Sequence, residues 1–142
     1  GSYGLEALSR GAGDAIFVEG DRRIFRDLKL NRANTCKSAN LLPDVGRLEN
    51  REVIEYLRHC DLSFDLVFLD PPYSEFAKLG PKVLELLRTR NLVGTDSLLV
   101  HESPPEETKS FPGWSLVRTL GKEKKGSPSF RIYKLSGPAS GQ

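Results

Sequence analysis

The chain has 142 residues, with 21 Lys and Arg against 19 Asp and Glu, so its net charge at neutral pH is only +2. This length suits one domain with a buried core and is too short for two domains of ordinary size. The weak positive charge does not by itself require a nucleic-acid partner. No apolar stretch approaches the roughly 18 residues that a membrane-spanning helix needs, and no signal peptide opens the chain. We therefore expect a cytoplasmic protein without a membrane partner.

Short apolar runs alternate with amphipathic stretches along the chain, a pattern typical of an α/β domain. In chain order the pattern predicts a short helix at 5–8, a strand at 15–18, a helix at 21–32, a strand at 45–48, a helix at 51–60 and a strand at 64–69. It then predicts a helix that begins at Pro81 and runs to about residue 90, a strand at 97–102, and an antiparallel hairpin of 115–120 with 130–135. Asp21 is a candidate helix cap. We expect Trp114 to pack in the core.

The cysteines and histidines do not have the spacing of a metal site. Cys36 and Cys60 are too far apart in sequence for a zinc motif, so we expect two reduced thiols. His59 and His101 are isolated and are expected to be structural or at the surface. The sequence therefore predicts no metal.

The motif Asp70-Pro71-Pro72-Tyr73 follows the apolar run 64–69 directly and is the strongest chemical signal in the chain. A carboxylate and a carbonyl in a rigid Pro-Pro turn can accept the two hydrogens of an exocyclic amino group, which orients the lone pair of the nitrogen. Tyr73 offers a flat face on which a base can stack. The alternative interpretation is a plain strand-to-helix turn, because Asp and Pro are common turn residues.

The opening residues resemble the second half of a glycine-rich loop that leads into a helix. Gly1, Ser2 and Gly4 would let a cofactor approach the backbone, and the following helix N-terminus favours negative groups. The alternative is an expression tag, which also leaves Gly-Ser. Glu19 lies at the carboxyl end of the strand predicted at 15–18, where a doubly wound fold places a carboxylate that binds ribose hydroxyls.

Five stretches together resemble the RsmD family, S-adenosylmethionine-dependent methyltransferases that act on guanine N2 in 16S ribosomal RNA. They are Gly-Leu-Glu-Ala-Leu-Ser-Arg-Gly-Ala from Gly4, Phe-Val-Glu at 17–19, Asp-Leu-Val-Phe-Leu-Asp-Pro-Pro-Tyr at 65–73, Leu-Leu-Val-His-Glu-Ser at 98–103 and Gly-Trp-Ser-Leu at 113–116. They occur in family order across nearly the whole chain. The Asp-Pro-Pro-Tyr motif is shared with DNA and protein amino-methyltransferases, whereas the stretch from Gly4 is more particular to this family.

The resemblance implies a Rossmann-like class I methyltransferase fold, a mostly parallel sheet with a C-terminal antiparallel hairpin. It implies that Gly1, Ser2 and Gly4 belong to the cofactor loop, that Glu19 holds the ribose, and that Glu52 and Val53 lie near the adenine. It further implies that residues 70–73 hold the target guanine amino group while a methyl group passes from S-adenosylmethionine to nitrogen. The implied partner is ribosomal RNA or an assembling small subunit, and we expect a monomer.

The chain departs from the family pattern at its start. The resemblance implies a basic N-terminal segment and a first strand that are not present here. We therefore expect residues 1–135 to be an N-terminally truncated methyltransferase domain with weakened cofactor binding, and 136–142 to be a disordered tail or cloning remnant. Two alternatives stay open. One is an amino-methyltransferase of DNA adenine or cytosine, and the other is a non-catalytic module that binds RNA or protein.

Overall fold

Strands and helices alternate along the part of the chain that the computed structural model describes, which comprises residues 14–41, 46–69, 73–103, 110–121 and 129–137. The elements are β1 (Ile16–Val18), α1 (Arg22–Ser38), β2 (Arg47–Glu49), α2 (Val53–His59), β3 (Phe64–Leu69), α3 (Tyr73–Thr89), β4 (Val93–Ser103), β5 (Trp114–Leu120) and β6 (Ser129–Leu135). This order confirms the predicted α/β class. The helix predicted at 5–8 lies outside the described residues.

The chain falls into two compact units, Gly1–Tyr56 and Leu57–Gln142, and the boundary lies within α2. In the first unit, β1 and β2 pair in parallel with Ile16 opposite Arg47. Phe17 and Leu28 are buried at the centre of this unit, where β1 meets α1. Four partly buried apolar side chains pack against them, namely Ala15, Phe25, Leu41 and Leu48. The expectation of one domain over 1–135 stays a prediction.

The second unit contains a four-stranded sheet in the order β3-β4-β6-β5. β3 and β4 are parallel, whereas β4–β6 and β5–β6 are antiparallel. The predicted C-terminal hairpin is therefore confirmed. The described strands of the whole chain make two parallel and two antiparallel pairings, so a mostly parallel sheet is not confirmed. Among the described strands β3 pairs only with β4, and its Leu66 and Phe68 side chains are 43% and 36% exposed.

Polar side chains and backbone turns define the two ends of α1. Asp21 is the N-cap as predicted, and its Oδ1 accepts from the backbone N–H groups of Arg23 at 2.8 Å and Ile24 at 3.2 Å. The helix ends at Ser38, six residues beyond the predicted end. Asn40 follows in the left-handed region with φ 57°, which terminates the helical hydrogen bonds. The longer helix buries Cys36, whose exposed fraction is 1%.

The prediction that a helix begins at Pro81 is wrong, because α3 begins at Tyr73 and Pro81 lies inside it. An interior proline costs roughly 3 kcal/mol through its missing N–H and its ring clash. One apolar face nevertheless continues across the proline, with Phe76, Val83 and Leu87 all less than 5% exposed. Each such buried side chain contributes about 1.5–3 kcal/mol, so the face outweighs the proline. The helix ends before Asn91, which has φ 56°.

Trp114, Cys36 and Cys60 are all buried, and they lie in different parts of the fold. Trp114 is 6% exposed, and its Nε1 donates to the carbonyl of Leu84 at 3.2 Å, which confirms its predicted place in the core. Cys36 lies in the first unit and Cys60 in the second, and neither forms a disulfide. Both thiols are buried, and their reduced state stays a prediction.

Candidate functional site

Glu19 directly follows β1, and hydrogen bonds fix its backbone on both sides. Its N–H donates to the carbonyl of Glu49 at 3.0 Å, and its carbonyl accepts from Asn50 Nδ2 at 2.9 Å. Glu19 is half-buried as a residue, and its carboxylate Oε2 accepts from the Asp21 N–H at 3.1 Å. A carboxylate has about four acceptor positions, so this one keeps capacity for further donors such as hydroxyl groups.

Glu52 and Val53 lie at the same end of the first unit as Glu19. Since β1 and β2 are parallel, Glu19 and the segment after Glu49 both leave the carboxyl edge of this sheet. Gly20 lies against the second segment, because a Cβ added to it would come within 3.6 Å of the Glu52 Cα. Glu52 is exposed, and the half-buried Val53 is the first residue of α2. The structure thus brings together three of the predicted cofactor residues.

Asn50 was not among the residues predicted from the sequence, although it holds the Glu19 carbonyl in place. The sequence does contain a signal, namely an amide side chain directly after a strand. This signal identifies the partner only once β1 and β2 are known to be neighbours, because the two residues are 31 positions apart.

The second predicted group follows β3. Leu69, the last residue of β3, is 8% exposed, and α3 begins only four residues later at Tyr73. Asp70, Pro71 and Pro72 lie outside the described residues, and so does the side chain of Tyr73. The predicted loop residues Gly1, Ser2 and Gly4 also lie outside. The described residues therefore define the two ends between which the Asp-Pro-Pro loop runs.

His101 fixes the strand end that precedes this loop. It lies opposite Leu69 in the parallel pairing of β3 with β4, and its Nδ1 is 3.2 Å from the Leu69 carbonyl oxygen. A carbonyl only accepts hydrogen bonds, so Nδ1 carries the hydrogen and donates it. The side chain is 1% exposed, which agrees with the predicted structural position.

An aromatic cluster connects His101 to the first turns of α3. The His101 ring stacks on Phe76, which lies three residues after Tyr73. Phe76 also makes an edge contact with Phe111, and Phe111 makes another with Tyr133, at centroid distances of 5.8 and 5.4 Å. Both ends of the Asp-Pro-Pro loop are thus attached to one buried cluster. No local sequence pattern predicts this arrangement.

Within the described ranges, no group of three or more His, Cys, Asp or Glu residues could hold a metal ion. No helix in the same ranges combines the length and apolar character that crossing a bilayer requires.

Residues 1–134 match the family described as Conserved hypothetical protein 95. Ribosomal RNA small subunit methyltransferase D of Haemophilus influenzae is 29% identical over 137 residues, which are 94% of this chain and 66% of that protein. The protein of the same name from Escherichia coli K12 is 31% identical over 136 residues, 94% of this chain and 63% of its own length. The chain thus spans slightly less than two thirds of these relatives.

Solved structures support the same relationship. The crystal structure of HI0767 from Haemophilus influenzae has a TM-score of 0.74 and 28% identity, and the match covers 95% of this chain and 80% of that one. SMU.776, solved in complex with SAH, has a TM-score of 0.66 at 15% identity, with coverage of 94% and 42%, and shares the fold. Because the family match extends over nearly the whole sequence, the chain belongs to the family described as Conserved hypothetical protein 95, the RsmD family.

Proposed function

We propose that the protein transfers a methyl group from S-adenosylmethionine to the exocyclic N2 amino group of a guanine in 16S ribosomal RNA. The observation that carries the proposal is the fixed end of β3, where His101 holds the Leu69 carbonyl directly before Asp-Pro-Pro-Tyr. The names of the relatives from Haemophilus and Escherichia point to the same substrate class. The proposed partner is ribosomal RNA or an assembling small subunit. We further propose that the protein acts as a monomer in the cytoplasm.

The carboxyl edge of the β1–β2 sheet has the chemistry to hold the cofactor. The Glu19 carboxylate is held in place by Asp21 and retains lone pairs that can accept from two ribose hydroxyls. Glu52, which lies beside Gly20, and the adjacent Val53 would contact the adenine. Gly1, Ser2 and Gly4 would complete the site around the rest of the cofactor.

The motif after β3 would orient the nucleophile. Asp70 accepts one hydrogen of the guanine amino group and the Pro71 carbonyl accepts the other, while Tyr73 stacks on the base and Pro72 stiffens the turn. When bound, S-adenosylmethionine supplies a methyl group on a positively charged sulfur, and the new carbon–nitrogen bond forms as the carbon–sulfur bond breaks. Asp70 then accepts the proton that the nitrogen releases and passes it to water. No metal takes part in the proposed reaction.

The proposed fold is the mostly parallel sheet of the class I methyltransferases, in which a further parallel strand pairs with the outer edge of β3. The exposure of Leu66 and Phe68 on this strand supports the proposal. Large apolar side chains beside an open strand edge are usually covered in native proteins.

The test compares Asp70→Asn with wild type in a methylation assay on small ribosomal subunits from cells that lack this activity. Mass spectrometry of digested RNA measures N2-methylguanosine. We expect Asp70→Asn to lower the rate by about 10²-fold or more while cofactor affinity is kept. The matched control is Asp65→Asn, an exposed change on β3 that should leave the rate unaltered.

Equal rates for Asp70→Asn and wild type would contradict the proposed site. Duplex DNA serves as a second substrate, and methylated adenine or cytosine in that arm would favour the DNA alternative. The protein could also bind both RNA and cofactor and yet methylate neither substrate. That result would favour the non-catalytic alternative.

A further inference from the structure

A cavity of about 510 Å³ lies between α1 and the start of β2 in the first unit. Among the residues that the structure describes, its charged lining residues are the cations Lys29, Arg32 and Arg47 and the acid Asp14. The lining therefore carries an excess of positive charge, which favours an anionic ligand.

This cavity is distinct from the proposed cofactor residues. It lies at the amino ends of β1 and β2, beside Asp14 and Gly46, whereas Glu19 follows the carboxyl end of β1. Asp14 and Glu19 are five positions apart in extended chain, a span of roughly 16 Å. A ligand in the cavity would therefore not occupy the Glu19 position.

Arg32 is held in a fixed orientation at the cavity wall. It is half-buried, and its Nη1 donates to the Gly46 carbonyl at 2.7 Å. Gly46 has φ 87°, a conformation that other residues rarely adopt, so the backbone that presents this carbonyl to Arg32 requires glycine. Arg32 Nε is also buried, and the described residues offer it no acceptor. A guanidinium has five N–H donors, so Arg32 retains donors for a ligand in this cavity, whose lining is positively charged.

Lys29 and Arg47 are two further cations that line the cavity. Both side chains are exposed, and Lys29 Nζ lies 5.9 Å from the centre of the Phe25 ring, which also lines the cavity. The surrounding helix is strongly basic as well, since α1 contains six Lys and Arg residues and one acid, Asp27. A planar guanidinium flanked by further cations is a favourable arrangement for a phosphate group.

We propose that this cavity binds a backbone phosphate of the RNA substrate. The inference rests on the proposed function insofar as RNA is the ligand. Lys29 and Arg47 neutralise the phosphate from the surface side, and Arg32 donates hydrogen bonds from the cavity wall. The site would increase RNA affinity without selecting a sequence, because phosphate contacts position a nucleic acid and do not identify its bases.

The test measures binding of a fluorescein-labelled RNA stem-loop from 16S ribosomal RNA to the 142-residue chain by fluorescence anisotropy at several salt concentrations. The variant Lys29→Gln/Arg47→Gln removes two exposed cations that line the cavity. The control Arg23→Gln/Lys37→Gln removes two exposed cations from α1 that do not line it, so the net charge changes equally. We expect roughly tenfold weaker binding for the cavity variant and a salt slope shallower by about 0.7–0.9 for each phosphate that the variant no longer neutralises.

Equal weakening by the cavity variant and the control would overturn the proposal, because net charge would then explain the effect. Unchanged RNA binding by the cavity variant would also overturn it. A third outcome would overturn it as well. Inorganic phosphate would raise the melting temperature of wild type but not of the cavity variant, while both proteins would bind RNA with the same affinity. RNA binding needs no methyl transfer, so weakened binding by the cavity variant supports this site even if the methylation assay fails.

Discussion

The imidazole of His101 lies nearly parallel to the phenyl ring of Phe76, with centroids 4.0 Å apart and an interplanar angle of 12°. The same imidazole donates a hydrogen bond to the carbonyl of Leu69. One buried side chain therefore contacts the strand before the Asp-Pro-Pro loop and the helix after it. We expect His101 to act as a positioning residue for Asp70 without touching the substrate.

Replacement of His101 by Phe keeps a ring that can stack on Phe76 but removes the donor to the Leu69 carbonyl. We expect the free energy of unfolding to fall by about 1–3 kcal/mol, since a buried carbonyl loses its partner. We also expect kcat for methyl transfer to fall while KM for S-adenosylmethionine is unchanged. Urea unfolding and steady-state kinetics check both effects, with the exposed His59→Phe as control. A lower stability with an unchanged kcat would show that His101 is only structural.

Gly80 is the position in α3 that lets Phe76 reach His101. A Cβ at residue 80 would lie 2.7 Å from the Phe76 ring, so Gly80→Ala must displace this ring, which is 4% exposed. Overpacking of this kind costs about 1–3 kcal/mol, whereas Ala in a helix gains about 1 kcal/mol over Gly. We expect a net loss of up to about 2 kcal/mol in urea unfolding. Gly94→Ala is the matched control, because its added Cβ meets nothing within 4 Å. Equal stability of the two variants would contradict the close packing of Gly80.

Glu19→Gln tests the proposed ribose contact. The amide keeps the size of the side chain and can still accept from the Asp21 N–H, but it loses the charge that strengthens hydrogen bonds to hydroxyls. We expect cofactor affinity to fall about tenfold in calorimetric titration, with little change in the unfolding midpoint. The exposed Glu85→Gln on α3 should bind as wild type does. An unaltered affinity for Glu19→Gln would remove this residue from the site.

Gly113 combines a left-handed backbone with a close neighbour, and the two effects can be separated. Its φ is 81°, and an added Cβ would lie 2.5 Å from the Arg88 side chain. Because Arg88 is exposed and its side chain can move aside, Gly113→Ala should lower the free energy of unfolding by the roughly 1–2 kcal/mol of backbone strain. The added Arg88→Ala should therefore recover little of this loss. Full recovery in the double variant would show that φ contributes nothing.

Several elements could be predicted because their signals are local. β3 was predicted with its observed bounds, and the two strands of the hairpin within one residue, because apolar runs there end at turn residues. β4 was predicted to begin at Ser97 but begins at Val93. Ser97 Oγ accepts from the Gly94 N–H and donates to the Phe64 carbonyl, so the turn-like sequence 94–97 joins the strand through a contact 33 residues away.

The candidate site likewise contains some features that the local sequence predicts and others that depend on residues far apart in the sequence. The position of Glu19 directly after β1 could be predicted because a carboxylate at a strand end is visible in the sequence. The hydrogen bonds that Asn50 and His101 make to residues 31 and 32 positions away could not be predicted without the strand pairing. The course of α3 through Pro81 likewise depends on an apolar face whose burial only the packed structure reveals.

The distribution of the two cysteines allows the opening of each unit to be followed separately. Cys36 is 1% exposed in the first unit, and Cys60 is 6% exposed in the second. A buried thiol reacts with a labelling reagent only when the structure around it opens, so its labelling rate reports local unfolding. Since the chain contains no other cysteine, mass spectrometry of labelled peptides can follow both rates in one unmodified sample. The sequence thus carries a natural pair of probes for comparing the part that contains Glu19 with the part that contains His101.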